Sequence, residues 1–266
     1  MSVKPLNLID SLRINIATRI FNTLYYKLYR YSSALALIFR IIGDLLVRWA
    51  KIKYNGIKYV LIDLSSLSIF NPKYEPNVLR IILNQLSKGD VFIDIGAHIG
   101  KYSFLAAKKV GTNGKVIAVE PNPIAFKALK SGIKENRLTN VIPLNIAVSN
   151  NNAIVQFYLS RWSVGSSMKV SEGSYNTIFV KSMTLDTLVS ILKLNRVDFI
   201  KIDVEGAELE VLMGAINTLI NYKPRLIIEV WDINFRNVMT FLQKIGYNCE
   251  VIERYALEKY SNIYCR

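Results

Sequence analysis

A single histidine, His98, and two cysteines, Cys249 and Cys265, are too few for a His/Cys metal cluster, and the sequence predicts no metal ligands. Two cysteines near the C-terminus with no further partners give no disulfide framework either, so a reducing compartment is expected. Acidic residues are scarce, 20 against 34 Lys and Arg, and the net charge of +14 keeps nucleic acid and anionic membrane surfaces in view as partners. A long uninterrupted apolar run is missing as well. The most apolar stretch, residues 33–50, is broken by Arg40, Asp44 and Arg48. Their four-residue spacing puts a polar stripe along one side of a helix, which predicts an amphipathic element and not a membrane span. The N-terminus lacks the pattern of a cleavable signal, so the expected location is cytoplasmic, with peripheral contact at the inner membrane face left open.

What is present is enough apolar material, 51% of the chain, for one substantial core and a small appendage. The charge is uneven: residues 1–60 carry +8 and the remaining 206 carry +6. With Tyr25, Tyr26, Tyr29, Tyr31 and Trp49 nearby, this segment is expected to lie on an anionic membrane, present a face to an acceptor or second subunit, or pack on its own domain. The turn-rich NPKYEP at 71–76 predicts a boundary, giving a basic, amphipathic helical extension at 1–73 and a catalytic domain at 74–266.

The most informative segment is VFIDIGAHIG, residues 91–100. A short apolar run ends in Asp94; Gly96, Ala97 and Gly100 form a turn; helical spacing resumes at Lys101. Strand, glycine turn and helix N-terminus make a nucleotide-cofactor cradle. The dinucleotide fingerprint would need a glycine where this chain has His98. An acid at the strand tip suits the amino-acid end of S-adenosyl-L-methionine better than a pyrophosphate. Lys115–Val119 reads as the second strand, with Glu120 placed to accept hydrogen bonds from both ribose hydroxyls.

Helices are then expected at 123–136, 184–194, 207–219 and 234–245, and strands at 141–144, 197–202, 225–230, 249–254 and 261–264. Alternation of this kind predicts an α/β fold: a Rossmann-like, seven-stranded, mainly parallel sheet covered on both faces, ending in an antiparallel hairpin, as in class I methyltransferases. Between 154 and 182, two short strands flank a Ser- and Gly-rich loop with Arg161, Trp162, Ser166 and Ser167, read as a source of substrate contacts or as an ordinary exposed hairpin.

The second chemical segment is DFIKIDVEGAELEVLMGA, residues 198–215. It places Asp203 at a strand tip, Glu205 in the turn and Glu208 in the first helical turn, where the helix dipole accounts for it. Two acids at one strand tip repel unless they bind something positive or share a proton. Glu229 stands at the matching end of the next strand, with Trp231 behind it as an apolar wall.

IDIGAHIG, AVEPNP, NIAVS, TLDTL, DFIKIDVEGAELEVLMGA and IIEVW together resemble the FkbM family of methyltransferases across roughly residues 74–232. The resemblance implies S-adenosyl-L-methionine as donor and O-methylation of a hydroxyl on a sugar, glycan, glycolipid or polyketide. It implies donor contacts from Asp94, Gly96, Glu120 and Asn122, with Asn145 and Ala147 where the third strand approaches the adenine. Asp203, Glu205 and Glu229 would line the catalytic crevice. His98 stands where asparagine is common in the family, and it is read as a loop-holding hydrogen-bond partner or a base. Among the acids, Glu205 is the expected base, and Asp203 is expected to orient the acceptor or hold a divalent cation. Two alternatives remain. One is a nucleic-acid methyltransferase, against which stands AspValGluGly where base-amine methylating enzymes carry an acid or amide followed by two prolines and an aromatic. The other is a non-catalytic, membrane-associated scaffold with a vestigial fold.

Overall fold

The computed structural model describes residues 3–19, 33–160, 165–169, 174–257 and 259–266. Arg161, Trp162 and the four tyrosines at 25–31 lie outside them. Three strands, β1 (Lys4–Pro5), β2 (Lys51–Tyr54) and β3 (Ile57–Val60), form a small antiparallel sheet. The hairpin between β2 and β3 turns on Asn55 and Gly56, both at positive φ, the pairing that a two-residue turn demands.

Five Val- and Ile-rich runs make the parallel part of the main sheet: β4 (Val91–Ile95), β5 (Lys115–Val119), β6 (Val141–Leu144), and, after an insertion, β10 (Phe199–Ile202) and β11 (Arg225–Trp231). The insertion is a second small sheet of β7 (Ala147–Val148), β8 (Ala153–Ser160) and β9 (Ser174–Met183). The last strands, β12 (Cys249–Tyr255) and β13 (Tyr260–Cys265), close the main sheet antiparallel, giving the order β12-β13-β11-β10-β4-β5-β6. The chain grows outward from β4 through β5 to β6, then returns to the other side of β4 with β10. That reversal opens a crevice at the carboxyl ends of β4 and β10, where ligands bind in open α/β sheets.

Strand alternation sorts residues between the two faces. Val91, Ile93 and Ile95 pack with Ile200, Ile202 and Ile228 on one face. Phe92, Phe199 and Ile227 pack on the other, with Phe104 and Leu129 from the covering helices. On this second face Asp94 stands opposite Lys201 in the register of β4 and β10, and Glu229 opposite Asn262 in that of β11 and β13.

The helix expected at 207–219 is two, Glu208–Met213 and Ile216–Tyr222. Gly214 separates them, because its Cα lies so close to the Ser149 carbonyl that an added Cβ would stand 2.1 Å from the oxygen. The expectation for the cysteines is overturned more plainly: Cys249 and Cys265 form a disulfide. They are directly opposed in β12 and β13, next to the reciprocal Asn248 and Arg266 backbone bonds, and opposed residues of this non-bonded type approach most closely. The disulfide spans 16 residues, and chain entropy puts its worth at roughly 3 kcal/mol. Urea unfolding with and without reductant is expected to show a loss of that order, and superimposable curves would refute it.

The described residues among the first 73 do not stand apart as a helical extension. Val47, Ala50, Ile52, Ile57 and Tyr59 share one core with Phe104 and Leu129 across the expected boundary. Helices Leu8–Arg19 and Ser33–Val47 run antiparallel, since Arg13 Nε donates to the Leu46 carbonyl at 2.7 Å while Gly43 faces Ala17. The polar stripe of the second helix points inward: Arg40 is buried and ion-pairs with Asp44, whose Oδ1 accepts the Leu64 N–H at 2.9 Å. No described helix is long and apolar enough to cross a membrane.

Candidate active site

The turn after β4 is shaped by its neighbours. The N–H groups of Gly96 and Ala97 both donate to the Val119 carbonyl, each at 2.9 Å, tying the turn to the tip of β5. Gly96 has φ +86°, and a Cβ there would stand 1.8 Å from the Asp203 carbonyl, so only glycine lets the tips of β4 and β10 meet. His98 follows at φ +50°, and its N–H donates to Glu120 Oε2 at 2.7 Å. The Asn122 N–H donates to Glu120 Oε1, also at 2.7 Å. Each carboxylate oxygen keeps a second acceptor direction, which leaves Glu120 able to take the two hydroxyls of a ribose. Burial raises its carboxyl to about 7, against the two backbone bonds that favour its charged form.

Behind the turn, Asp94 is buried, and its Oδ2 accepts from the Ser103 hydroxyl at 2.5 Å. Its Oδ1 has no partner among the described residues. That oxygen is sealed behind the cofactor turn, so Asp94 would meet a methionyl ammonium only through water. The residues therefore fit S-adenosyl-L-methionine at the cavity wall itself: Glu120 for the ribose and the backbone of 96–98 for close approach.

Across the same cavity stands the turn after β10, with Asp203, Val204 and Glu205 in its wall. Lys201, fully buried, ion-pairs with Asp203 at 2.7 Å. Burial opposes its charge, but Asp203, Glu75 and Asp94 outweigh burial and hold the ammonium above its usual value. Glu205 sits at φ +52°, a left-handed conformation rare for a residue with a side chain, and its carbonyl accepts from the Ser167 hydroxyl at 2.6 Å. Burial, then repulsion from Asp203 and Glu208, pushes the Glu205 carboxyl well above the usual range. Burial, Asp203, Glu205 and Glu75 do the same to Glu229.

Glu75, Asp203 and Glu229 each bring a carboxylate oxygen within 4.8 Å of the others. That spacing suits a cation, and the Lys201 ammonium on Asp203 already supplies one. Glu75 also accepts the Tyr102 hydroxyl at 2.5 Å and the Asn262 amide at 3.2 Å. Lys101 lies over the rings of Tyr74 and Tyr102, at 4.6 and 4.7 Å from their centroids, and burial lowers its ammonium to about 8.

Of the residues expected from the sequence, Gly96, Ala97, His98, Glu120, Ala147, Asp203 and Glu205 line the cavity. Burial lowers the His98 pKa, so its ring is neutral at pH 7. Four expected donor contacts are placed differently. Asp94 lies behind the turn. Gly100 packs on Phe104 and Leu129, where a Cβ would clash. Asn122 caps helix Pro123–Asn136, its Oδ1 accepting the Ile124 N–H at 2.9 Å. Asn145 holds the carbonyl of Glu120 at 2.8 Å. Glu229 sits beneath the cavity beside Glu75, and Tyr74, Ile146, Phe157 and Met168 supply the apolar wall expected of Trp231. Glu208 is structural: it accepts the Gly206 N–H at 2.7 Å and the Asn234 amide at 2.6 Å. Sequence reading missed Glu75, Lys101, Tyr102 and Lys201.

Residues 94–249 match the family described as Methyltransferase FkbM domain. Hexuronic acid methyltransferase AglP of Haloferax volcanii is 34% identical over 146 residues, 54% of this chain and 58% of that protein. The tRNA (guanine(37)-N(1))-methyltransferase Trm5b of Pyrococcus abyssi is 34% identical over 90 residues, 34% of this chain and 26% of that protein. The chain thus matches little more than half of the first relative's length and about a quarter of the second's. The crystal structure of methyltransferase FkbM from Methylobacillus flagellatus shares the fold, with a TM-score of 0.53 at 16% identity over 96% of this chain and 60% of that one. The family match spans more than half of the chain and coincides with the donor turn and the acidic strand tips, so this protein belongs to the FkbM methyltransferases, with S-adenosyl-L-methionine as its cofactor.

Proposed function

We propose that this protein transfers a methyl group from S-adenosyl-L-methionine to a hydroxyl of a sugar, glycan or glycolipid, a uronic-acid-containing one included, with Glu205 as general base. The observation that carries the reading is the facing of the two turns: Gly96–His98 and Asp203–Glu205 meet in one cavity, joined where Gly96 abuts the Asp203 carbonyl. The bound donor supplies a methyl carbon on a positively charged sulfur. An alcohol must shed its proton as it attacks, so a positioned base contributes most of what the protein can add to orientation. Glu205 takes the hydroxyl proton while the acceptor oxygen bonds to the methyl carbon and the carbon–sulfur bond breaks. Asp203, fixed by Lys201, orients the hydroxyl, and neutral His98 holds the donor turn.

The AglP likeness brings hexuronic acid into the acceptor class. Such a sugar offers hydroxyls and a carboxylate. Burial and mutual repulsion already work against ionised Glu205 and Glu229, and a further carboxylate brought beside them would add to that repulsion, whereas a hydroxyl would not. A glycan pool incubated with labelled donor tests this: base-stable methyl ethers are the expected product, and base-labile methyl esters, or label in RNA alone, would overturn it.

Donor binding gives a further expectation. Glu120→Ala should weaken S-adenosyl-L-methionine binding by roughly 1.5 to 3 kcal/mol, read by calorimetry. With its carboxyl at about 7, the parent should also bind donor more tightly as pH rises from 6 to 8, because only the ionised form accepts both hydroxyls. Glu120→Gln should flatten that rise. Unchanged affinity in the alanine variant would remove Glu120 from the ribose site.

A further inference from the structure

Helices Leu8–Arg19 and Ser33–Val47 each leave a row of aliphatic residues exposed, although their inward faces already hold both apolar and charged residues. On the first, Leu8, Leu12 and Ile16 recur every four residues; on the second, Ile38, Ile41 and Leu45 follow at three and four. All six are between 40% and 85% exposed. Soluble domains scatter such residues singly, whereas here each of two packed helices shows a continuous aliphatic stripe. The inward faces are already used: Asp10, Ile14 and Ala17 are buried on the first helix, Arg40 and Val47 on the second. Neither helix can turn its stripe inward without breaking the Arg13 bonds to the Leu46 and Arg48 carbonyls or the Arg40–Asp44 pair.

We infer that these two helices form a docking surface for an anionic lipid bilayer, lying in its interface plane. Charge selects the occupant. Of the ten Lys and Arg in residues 1–60, Arg13 and Arg40 pair with Asp10 and Asp44, and Lys51 and Lys58 with Glu135, while Lys4, Arg19, Arg48 and Lys53 have no ion pair among the described residues; this positive excess draws the segment to acidic headgroups and sets two copies of the same face against each other. Aliphatic stripes then enter the acyl boundary without a membrane span, which no described helix could provide. The inference rests on the N-terminal segment and stands whether or not the methyl-transfer reading holds. Where both hold, the cavity works beside a membrane and a lipid-linked acceptor meets it there.

Flotation of the full-length protein on vesicles of phosphatidylcholine with about 30% phosphatidylglycerol tests it, against neutral phosphatidylcholine vesicles. The expected result is recovery with the anionic vesicles, at least about tenfold weaker recovery with the neutral ones, and partial loss as salt rises from about 0.1 to 0.5 M. Leu12→Glu and Ile38→Glu, placed on exposed positions, should together cut recovery about tenfold while leaving the circular dichroism spectrum and donor affinity unchanged. Three results would overturn the inference: no flotation of the parent, flotation indifferent to the two glutamates, or a parent dimer in sedimentation that the glutamates convert to monomer, which would give the face to a second copy.

Discussion

Glu205→Gln should lower turnover about a hundredfold or more while leaving S-adenosyl-L-methionine affinity within about twofold. The amide keeps the shape and cannot take a proton. Because burial and the charges of Asp203 and Glu208 work against ionised Glu205, the substitution should hold or raise thermal stability, a sign opposite to that of a damaged fold. In the parent, the base must be ionised, so the rate should fall as pH drops through its raised pKa, at a pH well above the usual carboxylate range near 4.5. Asp203→Asn should behave differently. It removes the partner of a buried ammonium, costing roughly 2 to 3 kcal/mol of stability, below the figure for a fully enclosed pair because Asp203 is partly open to the cavity. Equal losses of donor binding and rate in Glu205→Gln would move that residue to the donor side, and no loss would make it a turn residue.

Gly96→Ala is the second large effect. The added methyl would stand 1.8 Å from the Asp203 carbonyl at φ +86°, so either the donor turn or the β10 tip must move. A loss of about 3 kcal/mol or more is expected, together with at least about tenfold weaker donor binding, since the displaced backbone is the surface the donor approaches. Gly111→Ala, also at positive φ but with nothing within 4 Å of the added carbon, separates backbone strain from contact: it should cost roughly 1 to 3 kcal/mol and leave donor binding unchanged. If the two variants unfold alike, the close contact with Asp203 has no special part in the site.

The main sheet was readable because its signals are local. Lys115–Val119, Pro123–Asn136 and Val141–Leu144 fall where period, cap and proline place them. Asn55-Gly56 between apolar alternations was an equally local hairpin signal that went unread. The break at Gly214 was not local, since it depends on a carbonyl 65 residues earlier in the chain. The disulfide was not legible in this way: pairing the expected strands from their turn, 254 with 261, sets 249 against 266. An extra residue at Ile252 shifts the register by one and brings Cys249 opposite Cys265.

The site divides the same way. Glu120 and the turn at 96–98 announce themselves at strand tips, and so do Asp203 and Glu205. Lys201 was visible as a charge inside a fully buried strand, a position that requires a counter-ion, and that oddity was passed over. Glu75 had no comparable mark, because its partners Tyr102, Asp203, Glu229 and Asn262 come from four later elements. The direction of the polar stripe on the second N-terminal helix was not legible, because what holds Asp44 inward is the Leu64 N–H, twenty residues later in the chain.

The bond from Asn262 to Glu75 joins residues 187 apart, so the floor beneath Asp203 closes over a long stretch of chain, whereas the donor cradle needs only β4 and β5, neighbours in sequence. Contacts of such separation form late in folding, and on refolding from denaturant the capacity to hold a methyl donor should return before the capacity to position an acceptor.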